Sequence, residues 1–214
     1  MALRAVVALY PETFTIVARA DSGITRLSDL VGKRLDLGPP GSGSRATMEV
    51  VMETMGWDEG DFTALVGTGA TEARKAICAS EIDAAVFTIA HPNLAVEDML
   101  TSCGAELVPV DTDIVAKLTG TYPYYFADAI AGGTYPDQTA TVPSFAVAAT
   151  LVTSTRTAPS TVYELVLALF NDLPGFREIH PALAEFSTER MVREGLSAPI
   201  HAGALRFYRE RGLE

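Results

Sequence analysis

The chain has 214 residues, 48% hydrophobic and 20% charged, with a net charge of −11. That composition suits a globular protein able to bury a core, as one large domain or two small lobes. The acidic balance argues against nucleic acid and anionic membrane surfaces as partners. No apolar run approaches the roughly 18 residues of a membrane span, which argues against direct membrane insertion.

Leu3–Leu9 and Phe14–Ala18 are expected to be extended, joined at Tyr10-Pro11-Glu12. The apolar start runs into Pro11 without a small-residue cleavage site, so it is taken as a strand and not as a signal peptide. A short helical turn over 27–32 leads into a strand over 34–38. Next comes Gly38-Pro39-Pro40-Gly41-Ser42-Gly43-Ser44-Arg45, followed by a helix with Met48, Val51, Met52 and Met55 on one stripe. Phe62–Val66 is a strand candidate, and Gly67-Thr68-Gly69-Ala70-Thr71 opens a helix with Ala73, Ala76 and Ile77 inward. Ala84–Ile89 is a continuous apolar run of the kind buried in parallel sheets. His91-Pro92-Asn93 caps a further helix ending at Gly104, and Glu106–Val110 follows as a strand. Four strand–helix alternations between 27 and 110 imply an open α/β sheet with ligands at the carboxyl ends of its strands. Residues 119–143 are rich in Thr, Tyr, Gly and Pro and are expected to be irregular. Ala146–Val152 is a strand, 161–170 a strong amphipathic helix, and 173–180, 187–195 and 202–211 shorter helices.

The Gly/Ser loop carries the chemistry. Gly41, Ser42, Gly43, Ser44 and Arg45 combine free amides, hydroxyls and a helix start, the makings of an anion site. Arg45 stands where cations are disfavoured, which a bound carboxylate or phosphate would explain. The alternative is a tight loop whose serines merely cap the helix. There is no Gly-Lys-Ser/Thr, and Pro39-Pro40 breaks a G-x-G-x-x-G pattern, so a nucleotide is disfavoured against a small organic anion. Thr88, His91 and Asn93 follow a buried strand at its ligand-binding end, or else form a plain turn and cap. Tyr10 suits either a ligand stem or the core. Cys78 and Cys103 are expected to be small buried apolar groups, with a disulfide as the alternative in an oxidising compartment. No Cys/His cluster has metal-ligand spacing, no cofactor motif occurs, and no nucleophile–base pair is suggested by spacing.

Leu9-Tyr10-Pro11-Glu12 with Val17-Ala18-Arg19, Leu30-Val31-Gly32-Lys33-Arg34, the 38–45 loop, Ile82-Asp83-Ala84-Ala85, His91-Pro92-Asn93, Gly133-Thr134-Tyr135-Pro136 and Pro199-Ile200-His201-Ala202-Gly203-Ala204 form an ordered set of stretches. Together they resemble the TAXI solute-binding proteins, extracytoplasmic receptors of tripartite ATP-independent periplasmic (TRAP) transporters. The resemblance implies a type II periplasmic-binding-protein fold, two α/β lobes around a central cleft. It implies capture of a dicarboxylate or glutamate-like anion outside the cytoplasm, for delivery to membrane permease subunits of a TRAP transporter, with no enzymatic activity. Family members normally carry a longer N-terminal portion. The resemblance therefore makes residues 1–19 a first-lobe remnant and hinge strand, 20–110 a complete second lobe, and 111–214 the hinge return and C-terminal part of an incomplete first lobe. Two competing functions are an enzyme on the same fold and a ligand-sensing domain.

Overall fold

A computed structural model describes residues 2–213. The chain opens with β1 (Leu3–Arg19), then β2 (Arg34–Asp36), α1 (Gly43–Met55), β3 (Ala64–Val66), α2 (Ala70–Cys78) and β4 (Ala84–Ile89). It continues through α3 (Leu94–Ser102), β5 (Ala105–Val108), α4 (Thr112–Thr121), β6 (Phe126–Ile130) and β7 (Val142–Ser154). Helices α5 (Pro159–Asn171), α6 (Leu173–Glu178), α7 (Thr188–Arg193) and α8 (Ala202–Arg211) complete it. Among the described residues no helix is long and apolar enough to cross a membrane.

Two compact units result. The larger comprises Thr13–Tyr122 and Ala127–Ala146. The smaller comprises the N-terminal segment up to Glu12, Pro123–Phe126 and the chain from Val147 onward. The strand order is β3-β2-β4-β1-β7-β6, and β5 also pairs with β1. β2 runs parallel to both β3 and β4. β1 is antiparallel to β4, with Thr13 opposite Ile89 and Ala18 opposite Ala84. The parallel sheet expected from the apolar run at 84–89 is therefore mixed. A strand buried on both faces is apolar whatever the direction of its neighbours, so composition could not tell the two apart.

β4 sorts its side chains by alternation. Ala85 and Phe87 join Ala73, Ile77, Val96 and Met99 in a core beneath α2 and α3. Thr88, like Ala84 and Val86, faces the other side, where α1 packs on β4 through buried Met48, Val51 and Met52. In the smaller unit α5 packs against α8. Gly203 permits that approach, since a Cβ there would lie 2.2 Å from the Pro159 carbonyl oxygen. His201 caps α8 by accepting from the Gly203 amide.

Three further expectations are corrected. The chain does not break at Tyr10-Pro11-Glu12, because proline's fixed φ is compatible with extended chain and β1 runs through it. The stretch 119–143 is not wholly irregular: it holds the end of α4 and all of β6. The glycines at 132 and 133 and the prolines hid a short strand that begins and ends on buried Phe126 and Ile130. Finally, Cys78 and Cys103 are not buried apolar thiols but a disulfide joining the ends of α2 and α3, with Cys78 exposed.

Candidate functional site: helix starts at the ends of parallel strands

Because β3, β2 and β4 are adjacent and parallel, their carboxyl ends lie on one edge of the larger unit. Three connections leave from there: 37–42 to α1, 67–69 to α2, and 90–93 to α3. Helices that follow parallel strands present their N-termini, and so their positive dipole ends, to that edge.

Asp36 fastens two of these connections together. Only 1% exposed, its carboxylate accepts from the Gly38 amide at 2.8 Å, the Thr68 amide at 3.1 Å and the Thr68 hydroxyl. The loops close tightly over it. A Cβ on Gly67 would lie 2.9 Å from the Gly38 carbonyl oxygen and 3.3 Å from Nη1 of Arg45. Gly67→Ala should therefore force the 38–45 and 67–69 loops apart and lower stability by about 1–3 kcal/mol, the range for overpacking, as measured by urea denaturation.

At the start of α1, Ser42 is the cap. Its side chain accepts from the Arg45 amide at 3.2 Å and its carbonyl from the Ala46 amide. The Gly43 and Ser44 amides have no protein partner among the described residues. Ser44 Oγ instead accepts from the Thr88 amide at 3.0 Å, binding the first turn of α1 to the end of β4. Thr88 itself is 9% exposed, and its hydroxyl has no partner. α2 begins at Gly69, which supplies no side-chain cap, so the Ala70 and Thr71 amides are likewise open. Two helix starts and one orphaned hydroxyl thus meet in one region.

Arg45 corrects part of the sequence argument. Its guanidinium pairs with Glu49, four residues on, at 2.9 Å. The misplaced cation has a counter-charge within its own helix and does not require a bound anion to explain it.

The turn after β4 is held by a directed chain of hydrogen bonds. The Asn93 amide donates to the Tyr135 hydroxyl at 2.9 Å. Nδ1 of His91 lies 2.5 Å from that hydroxyl and Nε2 lies 2.8 Å from Thr15 Oγ1. The Thr15 hydroxyl donates to the Thr13 carbonyl at 3.0 Å, so it accepts from Nε2–H, which leaves Nδ1 to accept from Tyr135. Burial pushes His91 down to about 4 and Tyr135 up to about 12, so both are neutral near pH 7. The Asn93 side chain caps α3 through the Ala95 and Val96 amides. Thr15, His91 and Tyr135 superficially resemble a catalytic relay. However, Thr15 is buried and its proton is committed to a backbone carbonyl, so the imidazole does not activate it as a nucleophile.

The structure thus brings Ser42, Gly43, Ser44, Arg45 and Thr88 together. Gly41 lies in the exposed part of the same loop, and His91 and Asn93 hold the neighbouring turn. Tyr10 is half-buried in β1 and belongs to the smaller unit, as does Glu12, whose carboxyl burial pushes up. Sequence reasoning missed Asp36, Thr68 and Tyr135. The first two had a signal, an acid at the end of a strand and a Gly-Thr-Gly turn opening a helix. Tyr135 stood in one of the family-like stretches, but nothing linked it to His91, 44 residues away.

A family model described as the NMT1-like family matches residues 1–212. The chain belongs to that family. Among solved structures it is similar to the periplasmic aliphatic sulphonate-binding protein SsuA of Escherichia coli, at 15% identity and TM-score 0.44, covering 97% of this chain and 58% of that one. It is similar to the alkanesulfonate-binding SsuA of Xanthomonas axonopodis at 18% identity and TM-score 0.44, covering 99% and 70%. A protein of Methylobacillus flagellatus described as a periplasmic sulfonate-binding SsuA aligns at 11% identity and TM-score 0.49, covering 99% and 62%. The NMT1-like chain therefore spans 58–70% of the length of these proteins.

Proposed function

We propose that this NMT1-like chain is the ligand-capturing part of an extracytoplasmic solute-binding protein, and that its ligand is a small organic anion held between the first turns of α1 and α2. The observation that carries the reading is the meeting of open amides at Gly43, Ser44, Ala70 and Thr71 with the orphaned Thr88 hydroxyl. The Thr88 hydroxyl is buried, where polar groups are normally hydrogen-bonded, and the helix-start amides, on exposed or half-buried residues, are free to take a ligand, so an oxyanion would satisfy this set. Its role is binding without turnover. A dicarboxylate or glutamate-like ligand, delivered to the permease of a TRAP-type transporter, is the specific form suggested by the resemblance to TAXI proteins. The Cys78–Cys103 disulfide supports an oxidising compartment.

A thermal-shift screen of small carboxylates, amino acids and sugars tests the ligand class. A ligand at a hundredfold excess over Kd raises folded-state stability by about 2.7 kcal/mol, and carboxylates should give the shift. Stabilisation by sugars alone would overturn the reading. Arg45→Ala should weaken anion binding by about 1.5–3 kcal/mol, the range for charge-assisted hydrogen bonds, as measured by calorimetry. It should leave apo stability nearly unchanged, because a partly exposed i,i+4 pair contributes only about 0.3–0.5 kcal/mol. Unfolding of the apo protein with unchanged affinity would make Arg45 structural.

A further inference from the structure

Asp36 introduces a negative charge into a site otherwise suited to anions. It lies between the two helix starts. Gly38, to which it is bonded, touches the first turn of α1: a Cβ there would lie 3.0 Å from Ser42 Oγ and 3.1 Å from the Ser44 Cβ. On the other side its carboxylate holds both the amide and the hydroxyl of Thr68, next to the Gly69 cap of α2. No cation pairs with it among the described residues, and its burial leaves its field poorly screened. Each helix start contributes about half a positive charge. One buried carboxylate therefore cancels the two together. Arg45 engages Glu49 through Nε, which offsets part of its charge and leaves its terminal nitrogens as donors, and Glu72, near Gly69, is exposed and screened. The site offers many hydrogen-bond donors but little net positive charge for a second negative charge to gain from.

We infer that the site accepts a head group carrying a single negative charge, such as a carboxylate or sulfonate, and rejects doubly charged heads such as phosphate esters and phosphonates. Asp36 is the specificity-determining residue. The inference rests on the anion-site reading above. Donor geometry rewards the oxygens of either head equally, whereas the second charge gains little from the neutralised helix ends and is repelled by Asp36. A unit charge at the distance of one intervening residue, in surroundings of effective dielectric near 20, accounts for about tenfold or more in affinity.

Methanesulfonate and methylphosphonate make the test, being alike in shape and differing in charge. Dissociation constants are read from the NMR shifts of the Gly43, Ser44, Ala70 and Thr71 amides in the full chain. With methylphosphonate doubly charged, the unaltered protein should favour methanesulfonate by about tenfold or more. Asp36→Asn keeps an acceptor for the Gly38 and Thr68 amides while removing the charge, and it should bring the two constants to within about threefold. An unchanged preference in a folded Asp36→Asn variant would overturn the role of Asp36 and leave the anion site standing. Should that variant not fold, the unaltered protein decides. Methylphosphonate should bind like methanesulfonate at a pH where it carries one charge and lose about tenfold when its second proton leaves, with methanesulfonate as the control. Equal binding of both charge states would overturn the inference. If neither compound moves these four amides, the anion site itself is refuted, and the inference with it.

Discussion

Replacing both Cys78 and Cys103 with serine should lower the unfolding free energy by about 3.5 kcal/mol, the chain-entropy value for a loop of this size. The two residues are 25 apart in sequence, and the loop they close contains β4, the His91–Asn93 turn and α3. Without the bond the unfolded chain gains the freedom of that whole loop, while the folded chain keeps the apolar core of Ala73, Ile77, Val96 and Met99 that already joins α2 to α3. The loss should therefore appear as a lower urea midpoint with native-like spectra, not as a failure to fold. Dithiothreitol should carry the unaltered protein to the same midpoint, since Cys78 is exposed to reductant. A change under about 1 kcal/mol would mean that the unfolded chain is already restricted in this region.

The helices were the most legible part of the sequence, and particular residues show why. The stripe of Met48, Val51 and Met52 fixed α1, and α8 occupies residues 202–211 as expected, because a 3.6-residue period is a local property. Strand direction is not local. Ala84–Ile89 announces burial on both faces, but nothing in it specifies that β1 runs antiparallel beside it. The site divides in the same way. Ser42 and Ser44 were visible as a Gly/Ser loop at a helix start, whereas their different tasks, one capping the helix and the other holding Thr88, follow from where β4 lies. Asp36 looked like any acid at a strand end. Its burial depends on Gly38 and Thr68 arriving from opposite sides, the latter 32 residues away. Similarly, the cysteines, 25 residues apart without a spacing motif, become neighbours only once α2 and α3 pack side by side.

Acid should weaken this protein through His91. Burial holds the imidazole down at about 4, against an ordinary value of 6.5. Because the folded value is the lower one, the unfolded chain binds more protons anywhere between the two. The stabilisation is complete above about pH 6.5 and is lost progressively as the pH falls to about 4, amounting to about 3 kcal/mol. The hydrogen-bond chain supplies the structural counterpart. Nδ1 accepts from a tyrosine hydroxyl that itself accepts from the Asn93 amide, so a proton on Nδ1 meets an O–H already directed at it. Two other groups respond differently. Asp83, held below the usual carboxylate range by its bond to Arg34, withdraws stability only at lower pH, as it too becomes protonated. Glu12, raised by burial, works with the opposite sign and favours the folded chain as pH falls through its range. His91→Gln separates these effects, because glutamine can accept from Tyr135 and donate to Thr15 without titrating. Urea denaturation across pH 4 to 7 should show stability falling steeply with acid for the unaltered protein, and no such fall for the variant, whose remaining slope is a slight rise from Glu12. A fall that persists in His91→Gln would place the acid-sensitive group elsewhere in the chain.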